Sequence, residues 1–161
     1  MIKVMFVCHG NICRSPMAEF VMRDLAEKKG VLCNLSICSR ATSYEEYGNP
    51  VHRGTVRKLA ENGISCSGKR AEVISKRDIE DSDLVLYMDG LNFRNLERIL
   101  RNNGNRFYDD NVGKIRCLKS YTARGGDIAD PWYTGNFDDT WEDVLEGCTN
   151  LLNTLVEKGL V

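Results

Sequence analysis

Residues 1–20 read MIKVMFVCHGNICRSPMAEF. The run Ile2–Val7 is short, apolar and partly β-branched, the pattern of a buried strand. Beyond it Met17, Phe20, Val21 and Leu25 fall on one helical face, and Pro16 suits a helix's first turn. Lys29-Gly30 supplies the stop, since Gly30 can take a left-handed cap. A strand therefore passes into a helix through a loop that carries two cysteines, a glycine and an arginine. A loop that only had to turn the chain would need Gly10 alone.

The alternation continues outward. Leu35–Ser39 reads as a second strand, and Pro50 is expected to open a helix with Val56, Leu59 and Ala60 that closes at Asn62-Gly63. Ser75–Glu80 reads as a short helix and Leu84–Met88 as a third strand. Phe93, Leu96, Ile99 and Leu100 mark a helix ending before Asn102-Asn103-Gly104, and Ile115–Leu118 a fourth strand. The last helix repeats Phe137, Trp141, Val144, Leu145, Cys148, Leu151, Leu152 and Leu155 at helical spacing. Alternating strands and helices predict an α/β fold, a parallel sheet covered on both faces. Ligands of such sheets bind beyond the carboxyl ends of the strands, where the first loop lies.

The 161 residues suit one domain, 1–161, with 42% hydrophobic and 28% charged residues. A formal charge of -1, with both signs interspersed, argues against nucleic-acid and membrane partners. No run reaches transmembrane length, and the apolar start is too short for a signal peptide, so a cytoplasmic location is expected. Seven cysteines form an odd set, and Cys33, Cys38, Cys117 and Cys148 lie in apolar contexts that read as core. Reduced thiols fit this better than a disulfide framework. No metal site is expected: Cys8 and Cys13 are too widely spaced for a ligand pair, and His9 and His52 are the only histidines.

At the amino end of a helix, backbone N–H groups point outward unpaired and the dipole adds partial positive charge. Gly10 lets the chain curl so that these groups converge on one anion, and Asn11 tolerates the left-handed conformation a nest needs. Arg14 brings a bidentate fork suited to phosphate oxygens. A cysteine in that field is favoured as its thiolate. Cys8 to Arg14 thus reads as an anion cradle with an attacking sulfur. Asp130, in ADPWYTG, is a carboxylic acid for protonating a leaving oxygen. Pro131 forces an extended approach there, and Trp132 and Tyr133 can wall a slot for a flat ring.

VCHGNICRSPMAE closely resembles the signature of the low-molecular-weight protein tyrosine phosphatases. The likeness spans almost the whole chain, through GNP at 48–50, Arg53-Gly54, Met88-Asp89 with Asn92 and Leu96, and Asp130-Pro131-Trp132-Tyr133. It implies a three-layer α/β/α, flavodoxin-like fold of about four parallel strands. It implies Cys8 as the nucleophile that becomes phosphocysteine, Arg14 as phosphate binder, and Asp130 as general acid and then base. The phosphate loop would comprise His9, Gly10, Asn11, Ile12, Cys13, Arg14 and Ser15, with Ser15 helping the leaving thiolate and Ser39 supporting Asn11. Cys13 would be a redox partner, forming a disulfide with Cys8. The partners implied are phosphotyrosine-containing proteins, met by a monomer without cofactor or metal.

The chain departs from that pattern in places. Lys69 or Arg70 stands near a family histidine and Glu72 replaces a family arginine. The aromatic wall from the 40s loop falls on Tyr44, with Glu45 and Tyr47 as competitors. His9 reads as an exposed residue at the mouth. Protein arginine phosphatases share the loop but carry threonine where this chain has Ile12, whose bulk favours a phosphotyrosine ring. Thioredoxin-coupled arsenate reductases need two cysteines around residues 75–90, a stretch that has none here. A phosphate-binding module without catalysis is opposed by Cys8, Arg14 and Asp130 occurring together.

Overall fold

The computed structural model describes residues 1–161. β1 (Ile2–Cys8) runs into α1 (Arg14–Lys28), followed by β2 (Leu35–Ala41), α2 (Arg53–Glu61), α3 (Lys76–Asp81), β3 (Leu84–Tyr87) and α4 (Gly90–Asn102). α5 (Asn105–Asn111), β4 (Ile115–Cys117), the four-residue α6 (Pro131–Thr134) and α7 (Phe137–Glu157) complete the chain. The four strands form one parallel sheet in the order β2-β1-β3-β4. β1 thus lies inside, with Cys8 beside Ala41 of β2 and Val7 beside Tyr87 of β3.

Along β1, Val4, Phe6 and Cys8 face one layer, while Met5 and Val7 face the other. The first layer packs on Met17, Val21 and Met22 of α1, Leu59 of α2, and Val144, Cys148, Leu151 and Leu155 of α7. The second packs on Ile79 of α3, Leu96 and Leu100 of α4, and Phe107 of α5. Burial on both faces explains why the strand is continuously apolar from Val4 onward. Each fully buried large side chain in these layers contributes about 1.5–3 kcal/mol. The alternation also places Cys8 on the α1 side, under the first turn of that helix.

Several expectations change. α2 starts at Arg53, not Pro50, because Pro50 bridges Arg70 and His52 caps the helix, its Nδ1 accepting from the Gly54 amide at 3.0 Å. α2 buries Thr55 and Leu59, whereas Val56 is 42% exposed. β4 stops at Cys117, and Leu118 enters a 3₁₀ turn. Asp130 is extended as its proline requires, but Pro131 then opens α6. Of the four cysteines read as core, only Cys148 is buried; Cys33 is exposed, and Cys38 and Cys117 are half-buried. Cys33 sits in a one-turn 3₁₀ helix that buries none of its residues. Cys66 is buried instead.

Candidate active site

Cys8, the last residue of β1, is 3% exposed and opens onto a cleft of about 520 Å³. Its lining comprises the loop residues His9, Gly10, Ile12, Cys13 and Arg14, with Glu45, Glu46, Asp130, Trp132 and Tyr133 around the mouth. Four of the loop carbonyls are turned away and taken. Cys8 O accepts from Thr42 N, His9 O from Ser43 N, Ile12 O from His52 N, and Cys13 O from Thr55 Oγ1. With the carbonyls fixed outward, the amides of Gly10 to Cys13 donate to no protein acceptor. Cys13 stands at the N-cap of α1 and provides no side-chain cap. An amide nest over an uncapped helix end is a ready-made anion site.

Asn11 makes this shape possible. It is the one non-glycine residue with positive φ, at 58°, a conformation Asn tolerates best. Its amide locks the loop. Nδ2 donates to Ser15 Oγ at 2.8 Å and to Ser39 Oγ at 2.9 Å, and Oδ1 accepts from the Glu72 amide at 3.0 Å. Ser15 Oγ is in turn 3.0 Å from Cys8 Sγ, so the network ends on the sulfur.

Arg14 is 2% exposed and held by two carboxylates. Its Nη1 donates to Asp89 Oδ2 at 2.6 Å and to the Ile128 carbonyl at 2.9 Å, and Nη2 reaches Asp130 Oδ2 at 3.2 Å. Its Nε is buried without a protein partner. Burial opposes the charge on Arg14, but Cys8, Asp89 and Asp130 outweigh it and lift its pKa above the ordinary value. Burial, followed by the charge of Cys8, pushes the Cys13 thiol far up.

Beneath the loop lies a second layer of polar groups. Ser39 Oγ donates to Glu19 Oε2 at 2.5 Å, and Lys69 Nζ lies 3.4 Å from that oxygen while donating to the Ser39 carbonyl at 3.1 Å. Glu19 and Lys69 side chains are 6% and 9% exposed, so each supplies the charge that makes the other's burial tolerable. Lys69 thus stands in the network under the loop, whereas the Glu72 side chain turns outward to Arg40 at 3.0 Å and contributes its amide alone.

The structure brings every residue from Cys8 to Ser15, with Ser39 and Asp130, into one site. Trp132 and Tyr133 wall its mouth, 56% and 84% exposed. Trp132 is steadied by the edge of His52 at 5.6 Å, and His52 stacks on Phe137 at 5.1 Å. Tyr44 is not among the lining residues. It is 76% exposed and leans on Tyr47 at 6.4 Å. The turn at 43–48 points the next two side chains inward instead: Glu45 meets His9 Nε2 at 3.0 Å, and Glu46 packs over Gly10. His9 is accordingly partnered, and only half-exposed.

Asp89, Glu19 and Glu46 carry no role in the sequence reading; Lys69 appears there only near a family histidine, and Glu45 only as a competitor of Tyr44. Asp89 had a usable signal, since Asp three residues before Asn is a helix-start pattern. Glu19 closes the signature stretch and Lys69 stands near the family histidine, but nothing local shows that they pair across 50 residues.

A family model for low molecular weight phosphotyrosine protein phosphatase matches residues 3–160. The Bacillus subtilis low molecular weight protein-tyrosine-phosphatase YfkJ is 38% identical over 157 residues, covering 96% of each chain. Its crystal structure superposes with a TM-score of 0.89 over 98% of this chain and 96% of that one. The low molecular weight protein tyrosine phosphatase of Streptococcus pyogenes gives 0.81 at 38% identity, over 96% and 93%. A Drosophila arginine phosphatase gives 0.85 at 27% identity, over 95% and 97%. The chain belongs to the low molecular weight phosphotyrosine protein phosphatase family.

Proposed function

We propose that this protein hydrolyses phosphotyrosine in phosphoproteins through a phosphocysteine. The observation that carries this reading is one cleft in which a thiol, an uncapped helix end, a buried arginine and a carboxylic acid converge. Cys8 Sγ attacks phosphorus as the bond to the tyrosyl oxygen breaks. The amides of Gly10 to Cys13 and the Arg14 fork hold the equatorial oxygens, where charge is greatest. Asp130 gives its proton to the departing phenol oxygen. Asp130 then takes a proton from water, which attacks the phosphocysteine and releases phosphate. Ser15, 3.0 Å from the sulfur, hydrogen-bonds the thiolate that leaves. No step needs a metal or cofactor. Trp132 and Tyr133 flank the aromatic ring.

The acidic wall of Glu45 and Glu46 favours a second reading, phosphoarginine, whose guanidinium it would attract. Ile12, 8% exposed in the lining, opposes it: an apolar side chain there contacts a ring better than a guanidinium. Cys13 serves as the resolving thiol. Peroxide converts the Cys8 thiolate to sulfenic acid, and the Cys13 thiol condenses with it, releasing water and leaving a disulfide that a reductant reopens. The protein acts in a reducing cytoplasm as a single-domain monomer without nucleic-acid partners. Seven free thiols support the reducing compartment and a net charge of -1 the lack of nucleic-acid partners; no helix is long and apolar enough to cross a membrane.

Phosphate release from a phosphotyrosine peptide and from phosphoarginine, in reductant and EDTA, tests the reading with wild type and Cys8→Ser. Release from phosphotyrosine that ignores EDTA and vanishes in the variant is expected. A preference for phosphoarginine would shift the substrate and keep the mechanism; no release from either would leave a binding module. For the redox step, Cys13→Ser should recover less activity than wild type after peroxide and then reductant, and equal recovery would exclude it.

A further inference from the structure

The catalytic cleft continues past Trp132. A second groove shares Ile12, Glu46 and Trp132 with it and runs beside α2 over Pro50, Val51 and Val56 to Arg53 and Arg57. The two arginines are four residues apart, on one helix face, and both are exposed. Lys58 on the same helix is engaged by Glu61 at 3.2 Å and Asp138 at 2.6 Å. Arg53 and Arg57 pair with no carboxylate. Arg53 also opens α2 at its positive end, in a first turn with no acidic residue, so helix stability does not account for it. The floor between them and the cleft is apolar and open, Val56 being 42% and Trp132 56% exposed. Glu45 at the mouth of the cleft, and Glu46 between the two cavities, carry the opposite sign.

We propose that this groove is a substrate subsite, binding the segment that flanks phosphotyrosine when it carries aspartate or glutamate. The proposal rests on the phosphotyrosine reading and names its substrate class. With the phosphate on Arg14 and the ring at Trp132, the flanking chain lies in the groove that continues from that wall. Carboxylates there meet Arg53 and Arg57, and apolar side chains lie on Val51 and Val56. Glu46 borders both cavities and repels a carboxylate immediately beside the phosphotyrosine, so the favoured acidic residues lie two or more positions away. The separation of Glu45 and Glu46 from Arg53 and Arg57 sets the direction in which the peptide runs.

The test measures kcat/KM for phosphotyrosine peptides with two aspartates, two alanines or two lysines placed two and three residues from the phosphotyrosine, on either flank. A small aryl phosphate without a flank is the control. Wild type should favour the aspartate peptide on one flank about 5- to 10-fold over alanine, and the preference should shrink with added salt. Arg53→Glu/Arg57→Glu should reverse the preference toward lysine while keeping aryl phosphate turnover within about twofold, as exposed substitutions outside the cleft should. Arg57→Gln, at the more distal position, should halve the preference without reversing it. Equal rates for aspartate and alanine peptides in wild type, or an unchanged preference in the reversed variant, would overturn the subsite. Loss of the aryl phosphate and every peptide in wild type would instead overturn the phosphotyrosine reading, and the subsite with it.

Discussion

Two helices start side by side at the carboxyl edge of the sheet, because β1 and β3 are hydrogen-bonded neighbours, and they start in opposite ways. α4 is closed. Asp89 Oδ1 accepts from the Asn92 amide at 2.8 Å, and Asn92 Oδ1 accepts from the amides of Asp89 and Met88. α1 is left open, with Cys13 at its N-cap and no side chain over its amides. A cap is worth about 0.5–2 kcal/mol, so an open end forgoes stability and reserves its N–H groups for an anion. The closed ends also serve the open one. Asp89 and Asp130 each use one oxygen for a cap and the other for Arg14: Asp130 Oδ1 takes the Trp132 amide at 3.1 Å while Oδ2 takes Arg14. Ordinary helix starts thereby become the supports of the buried arginine beside Cys8.

Replacing Arg14 by lysine keeps the charge and removes the fork, so kcat/KM should fall roughly 10³-fold at unchanged secondary structure; steady-state kinetics with circular dichroism checks this. Asp130→Asn keeps an effective cap and removes the proton. Turnover of a tyrosyl substrate should drop by about 10²- to 10⁴-fold with little change in Tm. Asp89 separates its two duties. Asp89→Asn should keep the cap, lose the pair with Arg14 and fall about tenfold in kcat/KM, while Asp89→Ala should cost about 1 kcal/mol more than Asn in urea unfolding.

Away from the site, Gly54→Ala tests the wall behind Trp132. The added Cβ would sit 2.4 Å from Phe137 Cζ, so about 1–3 kcal/mol of stability should be lost in denaturant titrations. The smallest effect belongs to α3, a closed end remote from chemistry. Burial opposes the charge of Asp78, but the Ser75 amide and Arg40 outweigh it and hold its pKa below the ordinary value. Its contribution is therefore present at neutral pH and lost as acid protonates it. Wild type should exceed Asp78→Asn by up to about 1 kcal/mol near pH 7, the two converging in acid below the ordinary carboxylate range, as urea midpoints will show.

The region around α1 was legible because its signals are local: an apolar run, Gly10, the Cys8 to Arg14 spacing and Pro16. The parts that escaped depend on distant partners. Pro50 looked like a helix start until its bridge to Arg70 is seen, and α5 buries only Phe107 and Asn111, too few for a periodic signal. Tyr44 has the chemistry of a wall residue, but the turn's geometry gives that place to Glu45 and Glu46. Cys33 follows Val31 and Leu32 and precedes Asn34-Leu35, yet lies in an exposed turn between α1 and β2, where apolar neighbours do not imply burial.

The central claim is that the open end of α1 holds a phosphoryl group while Cys8 accepts it. Rapid quenching of wild type during turnover of a phosphotyrosine peptide, followed by peptide mapping under non-acidic conditions, addresses this directly. A phosphoryl group on the Cys8 peptide, absent from Cys8→Ser, is the expected result. Sustained phosphate release with no phosphoryl group on Cys8, or with one on another residue, would contradict it.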